Sequence, residues 1–231
     1  MFSTGTIVAR FRGVFGVQVQ VASSFLMFFA VLFVGIGIFS GDPVGAAIIC
    51  GAIAISIYLH ELGHALAARW QGVGVRGVLL YGGGGLCAHE PCPPKETLLI
   101  TIGGPLVNLV LWYVATEASA GLIERAAHVG LGEADRLIAW SLWIFGYINL
   151  LLLIFNLLPV LPLDGGRILF HVLWYWLPRE RAMRITGFFG LIISVVWIPA
   201  AIYLFVVGGF LIFFFPSIRE NLQRFRGERD F

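Results

Sequence analysis

The stretch from Val21 to Phe39 carries no charged side chain. A helix of that length, rising 1.5 Å per residue, crosses the roughly 30 Å hydrocarbon core of a bilayer. It is too long for a signal-peptide core, and no small-residue cleavage site follows, so it reads as a first, uncleaved span. Further apolar runs extend from Val44 to about Trp70, Thr97 to Ala115, Leu137 to Leu158 and Ile185 to Phe215. With 59% of its residues hydrophobic and 12% charged, the chain has too few polar groups to cover itself in water. A net charge of +2 with scattered arginines offers no stripe to track phosphates, which argues against a nucleic-acid partner. Three cysteines argue against a disulfide framework.

Arg10 and Arg12 precede the first span and place the N-terminus in the cytoplasm by the positive-inside bias. As one helix, Ile185 to Phe215 would be about 46 Å long. Arg179, Arg181 and Arg184 precede it, and Arg219, Arg224, Arg226 and Arg229 follow it. One crossing separates these clusters, whereas two short crossings, with a turn between Pro199 and Gly209, keep both inside. The expectation is therefore an all-α polytopic membrane protein of about six transmembrane helices, a single domain over 1–231 with both termini cytoplasmic. Glu117, Glu124, Arg125, Glu133, Asp135 and Arg136 are expected to form an external loop between the third and fourth spans.

Ionisable groups inside spans are expensive and mark functional sites. The second run contains His60-Glu61-Leu62-Gly63-His64. Residues i and i+4 share a helix face, so His60 and His64 can offer two imidazoles to one metal ion, with Glu61 beside them to take a proton from a metal-bound water. Catalytic zinc usually has a third protein ligand. Of His89, His128, His171 and Asp164, the strongest candidate is Asp164. It follows the fourth span in Asn156-Leu-Leu-Pro159-Val-Leu-Pro162-Leu-Asp164-Gly165-Gly166, where the prolines force an extended chain. The second and fourth spans both run inward, which brings the three residues to one depth.

Together, the HELGH motif and N-x-x-P-x-x-P-L-D-G-G resemble the site-2 protease family of intramembrane zinc metalloproteases. Gly103-Gly104-Pro105-Leu106-Val107-Asn108 is similar to that family's G-G-P-x-x-N element. The resemblance covers about 44–167. It implies one zinc ion on His60, His64 and Asp164, with Glu61 as catalytic base and Asn156 near the substrate. Asn108, Gly83 and Gly84 are further candidates for substrate contact. It also implies membrane-anchored protein substrates, cut within or beside their transmembrane segments, and leaves room for a regulatory membrane partner. Many relatives carry a PDZ or CBS domain, for which this chain has no room.

Val73 to Pro93, two short apolar segments around Gly82 to Gly85, reads as a hairpin dipping toward the site, as in the family resembled. Val75 to Leu86 is the expected strand edge for an unwound substrate. Cys87, His89 and Cys92 make a weaker candidate for a second metal site, and Asn149 reads as a bond between helices. A metal-ion transporter using the His/Asp cluster is the alternative function, disfavoured because those groups gather at one depth and do not line a route.

Overall fold

The computed structural model describes residues 5–130, 132–208 and 216–228. Five helices among them are long and apolar enough to cross a membrane: Ser23–Ser40, Pro43–Trp70, Pro94–Ala126, Glu133–Asn156 and Arg179–Tyr203. Helices of this length and apolarity are those of an integral membrane protein. Two compact units divide it, one formed by residues 1–91 and 103–153, the other by 92–102 and 154–231.

The first unit opens with β1 (Ile7–Arg12) and β2 (Gln18–Ala22), then α1 (Ser23–Ser40) and α2 (Pro43–Trp70). Gly41 ends α1 at φ 66°, and Asp42 caps α2 by accepting from the Gly45 amide at 2.9 Å. Pro43 sits at the first helical position, where its missing N–H costs nothing. After α2 comes a hairpin of β3 (Val75–Tyr81) and β4 (Gly84–His89). The four strands form one sheet in the order β1-β2-β3-β4, with β2 and β3 parallel and both outer pairs antiparallel. Val17, Val19, Val78 and Leu80 bury one face of this sheet against Phe25, Leu62 and Ala65 of α1 and α2.

The expected hairpin therefore exists, as part of a larger sheet whose first two strands precede the first span. Val17, Val19 and Val21 alternate with Gln18 and Gln20, the period of a half-buried strand. Parallel pairing of β2 with β3 makes β3 an inner strand. Of the expected edge, Val75 to Leu86, the β3 part is therefore interior, and the open edge on the hairpin side is β4.

Two long helices, α3 (Pro94–Val129) and α4 (Glu133–Asn156), follow and contribute residues to both units. The expected external loop is largely helical: Glu117, Glu124 and Arg125 lie on α3, and Glu133, Asp135 and Arg136 begin α4. Continuous backbone bonding keeps these residues helical after the apolar run ends.

The second unit contains α5 (Asp164–Trp176), α6 (Arg179–Gly208) and α7 (Ile218–Arg226). Helix α6 continues through Pro199 to Gly208, so the turn expected between Pro199 and Gly209 does not occur within the described part, and residues 209–215 lie outside it. Among the described residues there are five candidate spans where six were expected. A proline interrupts one bond of a membrane helix without ending it when neighbouring backbone adjusts. The sidedness argument behind the sixth span has a counterpart in α7. Asn221 donates to Ser194 at 3.1 Å, and a Cβ on Gly187 or Gly190 would strike Arg224 or Asn221. Helix α7 thus lies along the first half of α6, and Gly227 sits beside Arg184. Arg224 and Gly227, in the last part of α7, therefore lie beside Gly187 and Arg184 in the first part of α6.

Within α5, Phe170 is fully buried with Leu161, Ala182 and Met183, whereas Tyr175 and Trp176 face outward. Arg179 stacks over the Trp174 ring at 5.5 Å. Burial, and then the Arg167 guanidinium, lower the His171 pKa from 6.5. The folded state resists the proton that the unfolded state accepts, so stability falls as pH drops below about 6.5. His171→Phe should remove that component: between pH 7.5 and 5, its thermal midpoint in detergent should fall less than the parent's. Equal falls in the two proteins would contradict this assignment.

Candidate metal centre

His60, Glu61 and His64 occupy one turn of α2, each no more than 7% exposed. Among the described residues they are the one group of three or more potential metal ligands, with atoms all within 4.8 Å of one another. The imidazole rings meet edge to face, with Nε2 of His64 3.2 Å from Nε2 of His60. Two nitrogens bound tetrahedrally at 2.0–2.1 Å from zinc would lie about 3.3–3.4 Å apart, so the pair fits that ion.

Glycines make room for the cluster. A Cβ on Gly104 would lie 2.5 Å from His64 Nε2 and 2.7 Å from His60 Cε1, so α3 meets the imidazoles with bare backbone. The Gly104 amide approaches His64 Nδ1 at 3.3 Å. Gly63 and Gly103 let the α2 and α3 backbones touch, and a Cβ on either would strike the other's carbonyl. From the sheet side, a Cβ on Gly85 of β4 would collide with the Glu61 side chain.

Glu61 also faces Cys87 on β4. Burial, and then the Glu61 carboxylate, push the Cys87 thiol up to about 12. At neutral pH it is a thiol, unsuited to nucleophilic attack.

Behind the imidazoles, His60 Nδ1 meets Asn108 Oδ1 at 2.5 Å, Asn108 Nδ2 donates to Asn149 Oδ1 at 2.8 Å, and Asn149 Nδ2 donates to Ser56 Oγ at 2.9 Å. Ser56, Asn108 and Asn149 are completely buried.

The sequence matches peptidase family M50 over residues 48–127 and 120–197, more than half its length. The chain belongs to peptidase family M50. It is 30% identical over 164 residues to a zinc metalloprotease of Methanocaldococcus jannaschii, covering 71% of this chain and 45% of that protein. It is 31% identical over 143 residues to the stage IV sporulation protein FB of Bacillus subtilis, covering 61% of this chain and 44% of that protein. The chain thus spans under half the length of these relatives. Its fold is similar to the solved structure of a site-2 protease from M. jannaschii, with a TM-score of 0.60 at 24% identity and 96% of each chain covered.

The other residues expected at the site of this M50 chain belong to other elements. Asn156 ends α4, and Asp164 opens α5 in the second unit, 6% exposed. Val160 and Leu161 are buried between them, and the Leu161–Pro162 peptide is cis. A Cβ on Gly165 or Gly166 would strike the backbone of 157–158 or 160–161, so the two glycines let the proline turn fold back onto the start of α5.

Gly83 and Gly84 lie at the hairpin turn, and Gly85, which sequence reasoning passed over, is the glycine against Glu61. Asn108 was expected to touch substrate. It is instead enclosed, with both ends of its amide taken by His60 and Asn149. Its place in G-G-P-x-x-N, one turn beyond Gly104, was the available signal.

Gly104→Ala should leave the chain helical but weaken zinc binding at least tenfold in chelator competition, since the new methyl needs the space of both rings. Parent-like affinity would show that the imidazoles do not depend on that bare surface.

Proposed function

We propose that this chain is an intramembrane zinc metalloprotease that hydrolyses peptide bonds in or near transmembrane segments of membrane-anchored proteins. The observation that carries the reading is the 3.2 Å approach of two imidazole Nε2 atoms, with a buried glutamate next in sequence, on an apolar helix of an M50 chain. His60 and His64 would hold the zinc, with Asp164 as the third protein ligand. Asp164 is supported by its place after the proline turn, its burial and the family resemblance. Zinc at such a site supplies a water acidic enough to deprotonate near neutral pH and polarises the scissile carbonyl.

With the metal held there, Glu61 would act as the base, its carboxylate accepting a proton and returning it to the leaving amine. Enclosure by Gly85 on one side and the apolar turn of α2 on the other keeps bulk water from the carboxylate. Asn156 is assigned to the substrate side of the site on the strength of the family resemblance. The active-site end and both termini are assigned to the cytoplasm, supported by Arg10 and Arg12 before α1 and by the return of α7 to the start of α6, where Gly227 lies beside Arg184. Six crossings in total remain our reading for the full chain.

A bond inside a transmembrane helix has its carbonyl engaged by the amide four residues on, so the helix must unwind before attack. Unwinding leaves backbone groups unpaired at several kcal/mol each, a cost that pairing with an exposed strand offsets. The strand next to Glu61 with an open edge is β4, and we assign the hairpin to this role, re-entrant at the membrane.

Glu61→Gln should retain zinc and lose cleavage, because the amide keeps the size but cannot accept the proton. Zinc loss from this variant would count against the base assignment. Asp164→Ala should lower zinc content, and unchanged zinc with full activity would remove it from the ligand set.

Neighbouring N–H groups on a strand point to opposite edges. Proline placed at Leu86 and at Cys87 in turn therefore breaks the ladder to β3 in one variant and removes only an outward donor in the other. The variant that keeps the parent's thermal midpoint should cleave about tenfold slower, the worth of one hydrogen bond. Cleavage at the parent's rate would make the hairpin a mere connector.

A further inference from the structure

The buried amides behind His60 have a direction, and one backbone carbonyl sets it. Asn149 Nδ2 donates to the carbonyl of Phe145, one turn back on α4, at 2.8 Å. A carbonyl only accepts, so this end of the Asn149 amide must be the NH2 group. The second partner of that nitrogen, Ser56 Oγ, can donate or accept and imposes nothing. The other end of Asn149 is then an acceptor, and the atom of Asn108 facing it at 2.8 Å must be the donor Nδ2. Asn108 therefore turns its oxygen toward His60, and the His60 nitrogen that meets it, Nδ1, must carry the proton. In a neutral imidazole that leaves the lone pair on Nε2, the atom that faces His64 Nε2.

We propose that the chain Phe145 carbonyl–Asn149–Asn108 holds His60 in its Nδ1–H tautomer, making Asn149 and Asn108 positioning residues for the metal centre. The inference rests on the zinc reading above and adds to it two residues on two other helices, neither of which touches substrate or metal. Every link is buried: Ser56, Asn108 and Asn149 have no exposed surface and His60 has 6%. With no water to accept a stray donor, either amide turned the wrong way would leave like groups facing each other at two contacts at once. The chain is thus stable in one sense only. It ties α2, α3 and α4 together at the depth of the ligands, since Ser56 stands one turn before His60 on α2.

Partners that orient metal-bound histidines typically contribute 10–100-fold to metal affinity. Asn149→Ala frees the Asn108 amide to turn over and offer its NH2 group to His60. Zinc affinity, read by chelator competition on the full chain in detergent, should fall 10–100-fold in Asn149→Ala and in Asn108→Leu. The double variant should bind no more weakly than Asn108→Leu alone, because Asn149 acts only through Asn108. Losses that multiply in the double variant, or an Asn149→Ala affinity within twofold of the parent, overturn the proposal.

The parent itself provides a test that no folding failure can obscure. With nitrogen-15 histidine and cadmium-113 in place of zinc, the metal–nitrogen coupling at His60 should appear on Nε2, with the proton on Nδ1. His60→Gln identifies the resonances. Coupling on Nδ1 overturns the tautomer assignment, whereas no coupling at His60 at all overturns the metal reading beneath it.

Discussion

Two imidazoles and a carboxylate taken out of water on a single helical turn are the constraint on which the rest of this structure depends. Each such group costs several kcal/mol in a low-dielectric setting unless partners replace the water it loses. His60, Glu61 and His64 share one buried turn of α2, and the elements around them act either as partners or as close-fitting walls. Asn108 satisfies one imidazole, Asn149 accepts from Asn108, and Ser56 accepts from Asn149. The cluster therefore draws three helices together, although apolar packing alone gives helices in lipid little reason to associate.

The walls are built from residues without side chains. Gly63 against Gly103 sets the closest approach of α2 and α3, Gly104 admits the two rings, and Gly85 brings strand β4 onto Glu61. Strand and helix approach the same carboxylate because Val78 and Leu80 of β3 are packed with Leu62 and Ala65 of α2. Leu62 lies between the two histidines in sequence and faces the sheet core, so one turn of α2 carries both the chemistry and the anchor of the hairpin.

What was legible in the sequence was local. HELGH placed on an apolar run identifies His60, Glu61 and His64 because the i, i+4 spacing is a property of one helix. The first four spans were legible because hydropathy needs no partner. Elements that depend on distant pairing were not. The alternation from Val17 to Val21 is only five residues long and ends where the first span begins, so β2 was missed. With it went the fact that β3 is an inner strand and β4 the open edge. Asn149 read correctly as a bond between helices, but the direction of that bond, set by the Phe145 carbonyl, is a three-dimensional fact. Pro199 suggested a break that the surrounding helix does not make, and the charges of Glu117, Glu124 and Arg125 suggested a loop where α3 continues.

The central claim is that His60 and His64, completed by a carboxylate and not by a thiolate, hold zinc beside Glu61. X-ray absorption at the zinc edge of the purified, zinc-loaded chain tests it most directly. The account predicts a first shell of nitrogen and oxygen only, at about 2.0–2.1 Å, with the outer-shell pattern of two imidazoles. A sulfur neighbour at about 2.3 Å, from Cys87 or any other cysteine, or the absence of an imidazole pattern, would contradict it.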